Sequence, residues 1–470
     1  MKKSIKILLK ITLLVVILGI VSFGVFTGIR SYELSNTTEA KELDVVEEAR
    51  LRGYKESVYE DRYKELQPLP YKVTEQELDV WAESAIIINA DNGNILYEKN
   101  ADEVIPPASM TKLFAMYVVD EEVSSGRFSY DQVIPLPEES LACNMPPRSS
   151  LMFLGEGQVV TLEELLLGLS IASGNDAAYA LAYTVCGTME AFVERMNKVA
   201  SDLGLTNTHF VESSGYSELN TTTAREMAEF SKVYLEKHPD SLVRFHSVRE
   251  FTYPKERNLA PGDILEAQDF SNGLPRHITM SITQKNTNPL LDVLEGCDGL
   301  KTGYIDESGY NLSLTAMRDG TRYISITMKG PGNGSIEGQK GRVHDGTEMM
   351  EWAFSRFSNM DISEYIKPYS VRSYGASEMM INLVPAFNET DITIPCIQGK
   401  TMEENLQNVR VEINLPPYTW GAVSRGDELG NIKVLLDNYL LDKIPLISDR
   451  NTQKSNFIVA LADKIHLFFH

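Results

Sequence analysis

A mixed α/β domain in which a helical insert interrupts a sheet, followed by a smaller, mostly β domain, is the fold the sequence predicts. Three observations predict it: short β-like runs around a turn near residue 92, capped helical segments through the middle of the chain, and a return to turn-punctuated apolar runs after residues 299 and 369. The 470 residues allow two or three domains at roughly 150 residues each. Apolar residues at 43% and charged residues at 23% leave enough apolar surface for a core and exclude wholesale disorder. Lys and Arg number 44 against 66 Asp and Glu, a net charge of −22 that repels a phosphate backbone, so nucleic acid is not an expected partner.

At the N-terminus, Lys2, Lys3, Lys6 and Lys10 precede an uncharged stretch over residues 11–29, whose 19 residues reach across a bilayer at about 1.5 Å each. Residues 1–10 then form a cytoplasmic N-terminus and 11–29 a transmembrane anchor or an uncleaved signal, with everything after Arg30 on the far side. Ser22 and Gly24 offer small residues for a cleavage site, but no Ala-x-Ala follows. Residues 30–77 turn to Glu, Asp, Lys and Arg, with Pro68 and Pro70 near the end. They read as a charged stalk, or over 38–67 as a solvated helix or coiled-coil segment.

The first large domain is expected over residues 78–358. Residues 85–89 and 95–97 are apolar on either side of Asp91-Asn92-Gly93-Asn94, a hairpin pattern in which Asn and Gly tolerate positive φ. Thr161 with Glu164, and Thr223 with Glu226, have the spacing of capping boxes ahead of apolar runs, and 176–185 and 189–203 read as helices between them, the second ended by Gly204. Residues 311–317 and 323–328 read as strands joined at Arg318-Asp319-Gly320. A mostly β domain is expected over 359–452, with strand-like runs at 379–384, 409–413 and 432–436. In the final segment, 453–470, Phe457, Leu461, Ile465 and Phe468 recur at helical spacing and Asp463 and Lys464 fall on another face. This helix lies on a membrane surface or folds back on its own domain.

Three short motifs carry chemistry. Ser109-Met110-Thr111-Lys112 places a hydroxyl and an amine three residues apart, on one face of a helix that begins near Ser109. Such a pair is a nucleophile beside a base, provided the amine is desolvated enough to lose its proton near neutral pH. Ser173-Gly174-Asn175 falls between two helices, where a bend presents both side chains into a cleft. Lys301-Thr302-Gly303 precedes a strand pair, with the glycine permitting close approach.

Together and in this order, the motifs resemble those of the penicillin-recognising serine acyltransferases, the penicillin-binding proteins and class A β-lactamases. The wider runs Pro106-Pro107-Ala108-Ser109-Met110-Thr111-Lys112, Ser173-Gly174-Asn175-Asp176-Ala177, Thr223-Ala224-Arg225-Glu226-Met227 and Asp298-Gly299-Leu300-Lys301-Thr302-Gly303 resemble the low-molecular-weight D-alanyl-D-alanine carboxypeptidases over residues 80–357. Residues 369–447 are more loosely similar to that family's C-terminal β domain. The resemblance implies a penicillin-binding or serine β-lactamase-like α+β fold, and Ser109 as nucleophile with Lys112 as general base. By the same resemblance Ser173 and Lys301 relay a proton to the leaving group, and Asn175 orients the acyl amide. Thr302, Gly303 and Tyr304 form the substrate edge, Tyr304 acting through its backbone N–H, and Arg342 binds a carboxylate, although residues 331–338 lengthen the loop before it. The implied partners are a peptidoglycan stem pentapeptide, β-lactams as covalent inhibitors, and the bacterial cell membrane through residues 11–29 and 456–470, with the catalytic domain outside the cytoplasm.

No cofactor is implied and no metal: there is no His-Glu-x-x-His, and Cys143, Cys186, Cys297 and Cys396 are too scattered for a zinc site. The four cysteines pair in any of three ways or remain thiols. Arg225 reads as a structural ion pair. The class A deacylating glutamate, four residues before an asparagine, is not evident, because Tyr216 stands four before Asn220. Rival expectations are a D,D-endopeptidase or a β-lactamase on the same fold, and a catalytically silent peptidoglycan-binding scaffold, which predicts at least one broken motif.

Overall fold

The computed structural model describes residues 2–36, 66–72, 78–259, 281–386, 390–396 and 400–469, so most of the expected stalk lies outside the described residues. Two compact units result: Tyr63–Asn359 with Pro395–Ile397, and Met1–Arg62 with Met360–Ile394 and Gln398–His470.

In the first unit, β1 (Ser84–Asn89) and β2 (Asn94–Lys99) form the expected hairpin. Asn92 accepts a 3.1 Å hydrogen bond from the Asn94 amide, and Gly93 takes φ +74°, a value that a Cβ would strain. Late in the chain β3 (Cys297–Ile305), β4 (Gly309–Arg318) and β5 (Thr321–Gly330) form a meander. The sheet order is Gln67–Pro68, β2, β1, β5, β4, β3, so the two ends of the unit make one sheet and all between them is insert. Strand β1 is buried on both faces, which explains its unbroken apolar run. Ile86 and Ile88 face the helical insert, while Ala85 and Ile87 pack toward α7 (Ser335–Arg356) through Met349, Met350 and Ala353.

The insert holds α2 (Thr111–Ser124), α3 (Leu162–Ile171), α4 (Asn175–Cys186), α5 (Met189–Asp202) and α6 (Ala224–Lys237). Helix α2 runs through the core with Leu113 to Val119 all buried, so its sequence shows no polar face. Thr161 and Glu164 make both halves of the expected capping box. At α6 only half forms: Thr223 accepts from the Glu226 amide, but the Glu226 carboxylate takes the Asn207 amide at 2.9 Å and the Thr208 hydroxyl at 2.6 Å. Tertiary partners outcompete the local cap. Since α7 begins at Ser335, part of the expected loop extension over 331–338 is the first turn of a helix. Arg225 pairs with Asp102 and Glu98, each at 2.7 Å.

In the second unit, α1 (Lys2–Asn36) contains 23 residues, Lys10–Tyr32, long and apolar enough to cross a membrane by length and composition. Strands β6 (Tyr369–Tyr374), β7 (Met380–Pro385), β8 (Val409–Asn414), β9 (Glu428–Leu436) and β10 (Tyr439–Ser448) form a second sheet in the order β8, β9, β10, β7, β6, Thr419–Trp420. Helix α8 (Phe457–Phe469) is turned inside out relative to an ordinary surface helix. Its buried residues are Ala462, Asp463 and His466, whereas Phe457 and Phe468 are 79% and 83% exposed. The inward Asp463 carboxylate accepts from Arg30 Nε at 2.9 Å and from the Gly375 amide at 2.8 Å, and His466 Nδ1 meets the Ser31 hydroxyl at 2.6 Å. The structure splits the expected polar pair: Asp463 points inward, where Arg30 and Gly375 satisfy its carboxylate, while Lys464 is exposed.

Candidate active site

Ser109 lies in a single 3₁₀ turn, Ala108–Met110, directly before α2, and Lys112 occupies the first turn of that helix. The turn is tight: Ala108 takes φ +50°. Lys112 is fully buried, with Nζ 2.9 Å from Ser109 Oγ, 2.9 Å from Asn175 Oδ1, and in contact with the Ser214 carbonyl. Those three partners serve both charge states. An ammonium donates to all three; a neutral amine donates to Asn175 and Ser214 and turns its lone pair to the Ser109 hydroxyl, which then donates. Burial lowers the Lys112 pKa to about 7, against the opposing pull of Glu212 and Asp176. A neutral amine within hydrogen-bond reach of a hydroxyl is therefore present at physiological pH.

Ser173 sits in the bend between α3 and α4 at φ +56°, where its hydroxyl accepts from Lys301 Nζ at 3.0 Å. Lys301 also donates to the Thr302 carbonyl at 3.0 Å, and burial together with the charge of Lys112 holds its pKa well below the usual lysine range. Asn175 is fixed by a 3.1 Å bond to Ser149 Oγ. The bend itself is held by Asp176, whose carboxylate takes the amides of Met152, Phe153, Leu154 and Ala177 at 2.8–3.0 Å. Thr302 is buried and donates to Thr287 Oγ1 at 2.7 Å.

Two glycines bring their backbones against the serine turn. A Cβ on Gly303 would stand 2.5 Å from the Pro107 carbonyl, so this glycine admits the protein's own backbone. A Cβ on Gly215, at φ +78°, would stand 1.8 Å from the Ala108 carbonyl oxygen. Gly215→Ala is therefore expected to displace the Ser109 turn, lowering stability by about 1–3 kcal/mol and the reactivity of the Ser109 hydroxyl toward acylating reagents by about a hundredfold, as a displacement near 1 Å does. Thermal melting and acylation kinetics on the same sample check both effects.

An open cavity of about 650 Å³ lies over Ser109 and Asn175, walled by Ser149, Tyr216, Leu219 and Tyr304. At its mouth the Tyr304 hydroxyl donates to Asp306 Oδ1 at 2.8 Å, and Arg148 pairs with Asp306 Oδ2 at 2.8 Å. Ser109, Lys112 and Asn175 thus form one hydrogen-bonded set and Ser173 with Lys301 a second, near enough that the Lys112 charge acts on Lys301, and Tyr304 faces the same cavity as Ser109 and Asn175. Arg342 does not line it: buried behind β3 and β4, Arg342 donates to the carbonyls of Gly303 and Asn311, the latter at 3.1 Å, and burial lowers its pKa to about 10. Asn220 also points away, to Thr111 Oγ1 at 3.2 Å and Glu212 Oε1 at 2.9 Å. Ser149, Glu212 and the Ser214 carbonyl leave no motif in the sequence, being single polar residues and a backbone acceptor, and Asp176 lies in a motif run without its bracing role being visible there; Gly215 after Glu212-Ser213-Ser214 is the one available signal. All four cysteines are free thiols, and burial raises Cys297 to about 12. Among the described residues no cluster of three metal-ligating side chains occurs.

Residues 71–332 match the family model described as D-alanyl-D-alanine carboxypeptidase, peptidase S11. The chain is similar to the D-alanyl-D-alanine carboxypeptidase DacF of Bacillus subtilis strain 168, 28% identical over 386 residues that cover 82% of this chain and 89% of that protein. It is also similar to DacD of Salmonella typhimurium, 30% identical over 391 residues, 80% of this chain and 88% of that one. Among solved structures, penicillin binding protein 5 from Haemophilus influenzae matches with a TM-score of 0.65 at 27% identity, over 82% of this chain and all (100%) of that one. Penicillin binding protein 6B from Escherichia coli matches with a TM-score of 0.61 at 25% identity and the same coverages, 82% and 100%.

Proposed function

Since this chain belongs to the D-alanyl-D-alanine carboxypeptidase family, we propose that it removes the terminal D-Ala from peptidoglycan pentapeptides through an acyl-enzyme on Ser109. The observation that carries this reading is the 2.9 Å contact of the Ser109 hydroxyl with a buried amine that burial brings to a pKa of about 7. Lys112 takes the hydroxyl proton as Ser109 Oγ bonds to the carbonyl carbon of the penultimate D-Ala. The backbone N–H groups of Ser109 and Tyr304 receive the oxyanion; one such donor is worth about 2.7–4 kcal/mol in other hydrolases. Ser173, bonded to Lys301, passes a proton to the leaving D-Ala nitrogen as the amide C–N bond breaks. Asn175 orients the acyl amide and Thr302 meets the terminal carboxylate. Water then attacks the ester, returns a proton to the site, and frees the shortened peptide. Arg342 serves this chemistry from behind, by fixing the Gly303 carbonyl at the substrate edge. β-Lactams acylate the same serine.

The reading also places α1 across the bacterial cell membrane with the catalytic domain on the outer side, and the outward apolar face of α8 on that membrane's surface. The same reading assigns 78–358 to a catalytic domain, 359–452 to a β domain and 453–470 to an amphipathic helix.

The experiment is release of the terminal residue or fragment, followed by product mass, by the full chain in detergent from a pentapeptide ending in D-Ala-D-Ala, beside one ending in D-Ala-L-Ala and a cross-linked muropeptide dimer. Release from the first, at least about a hundredfold faster than from the others, supports a carboxypeptidase. Faster cleavage of the dimer would instead identify an endopeptidase.

A further inference from the structure

Behind β3 runs a chain of buried polar side chains that the proposed reaction does not use. His246 is fully buried, its Nδ1 3.2 Å from the Leu300 carbonyl and 3.5 Å from Ser170 Oγ, and its Nε2 3.1 Å from the Tyr234 hydroxyl. That hydroxyl lies 3.2 Å from Asp120 Oδ2, and Asp120 Oδ1 lies 3.1 Å from the Tyr130 hydroxyl. Leu300 directly precedes Lys301, and Ser170 lies on the helix that ends just before Ser173. His246 therefore touches both elements that carry the Lys301–Ser173 pair.

Counting donors fixes where the protons must be. A carbonyl oxygen only accepts, so a neutral ring carries its proton on Nδ1 to serve Leu300, and Nε2 becomes an acceptor. Tyr234 has one proton, claimed by both Nε2 and Asp120 Oδ2. If it goes to Nε2, Asp120 must itself donate to the phenol oxygen and so must be a carboxylic acid. If it goes to Asp120, the ring must be doubly protonated to keep both of its contacts. Either way the chain is satisfied only when it holds one proton more than a carboxylate and a neutral imidazole contain, and an unmade bond in so buried a place is costly.

We propose that Asp120, Tyr234 and His246 form a proton-retaining chain that positions Lys301 against Ser173 through the Leu300 carbonyl. It rests on the reading that Lys301 and Ser173 act in acyl transfer. Burial places the retained proton on Asp120, raising its pKa to about 7 while lowering that of His246 to about 4. The loaded chain is thus complete at low pH and is lost as pH rises through about 7. The groups that face it are Arg244 and Glu121 around Asp120, Asp240 near Tyr130, Lys301 beside His246, the Ser241 hydroxyl at Tyr234, and the rings of Tyr117 and His238 against Tyr234. Arg244 opposes the rise at Asp120 and Glu121 reinforces it.

The variant that isolates the chain is Asp120→Asn, whose amide donates to Tyr234 and accepts from Tyr130 at every pH and so locks the loaded state. Acylation of the full chain by benzylpenicillin, followed from about pH 5 to about pH 9, is expected to rise and then fall in the wild type. In Asp120→Asn the falling limb disappears, leaving the variant about tenfold faster than wild type at about pH 8. Tyr234→Phe, which breaks the chain, should be slow across the range, with melting temperature measured alongside. Superimposable wild-type and Asp120→Asn profiles would overturn the proposal. Lys301→Ala separates the two readings: if it is inactive while those profiles superimpose, only the chain is wrong, and if it acylates normally, the reading of Lys301 fails and the chain's role with it.

Discussion

Replacing Ser109 by alanine is expected to reduce D-Ala release by on the order of a millionfold, the loss seen when a serine hydrolase is stripped of its nucleophile. The size follows from the site. Lys112 keeps its bonds to Asn175 and Ser214 when the hydroxyl is gone, so the base stays in place with nothing to deprotonate. Nothing in the core changes: the exchange removes one oxygen at the floor of an open cavity, and the melting temperature should move by no more than about 2 °C. The measurement is D-alanine release per enzyme under saturating pentapeptide, with a melting curve on the same preparation. A variant that keeps even a hundredth of wild-type release would mean that another group carries the acyl chain.

Replacement of Lys112 gives the second largest effect, and its sign with pH is fixed. Burial lowers this amine to about 7, so the base form is scarce below that pH and dominant above it, which gives wild-type acylation its rising limb on the acid side of about 7. Lys112→Ala removes the base and should lower acylation by about a thousandfold or more at every pH. Lys112→Arg distinguishes a base from a mere charge. A guanidinium keeps the positive charge and donors but cannot give up a proton in this range, so it should be as inactive as alanine and show no rising limb. A Lys112→Arg enzyme with substantial activity would point to an electrostatic role for residue 112 alone.

The proposed catalytic groups can be picked out in the sequence because they come in rigid local pairs. Ser109 and Lys112 share one helical turn, Ser173 and Asn175 one bend, and Lys301, Thr302 and Gly303 one strand, so each motif survives as a short string. Sheet and insert were legible for a similar reason: the hairpin turn at Asn92-Gly93 and the caps at Thr161 and Thr223 act within four residues of themselves. What was not legible depends on contacts between distant residues. The Glu226 carboxylate leaves its cap for Asn207 and Thr208, Gly303 makes room for the Pro107 carbonyl, and Arg342 spends its donors on β-strand carbonyls. The inward-facing Asp463 is unreadable until Arg30, more than four hundred residues earlier, is seen beside it. The chain from Asp120 to His246 joins α2, α6 and the turn after α6, and no local pattern marks any of its members.

The central claim is that Ser109 forms the acyl-enzyme. Its most direct test is the intact mass of the full chain after brief exposure to benzylpenicillin, followed by digestion and identification of the modified peptide. The account predicts one penicilloyl group per chain, carried by the peptide containing Ser109 and absent from Ser109→Ala. An adduct on any other peptide, or a folded wild-type chain that takes up no penicilloyl group, would contradict it.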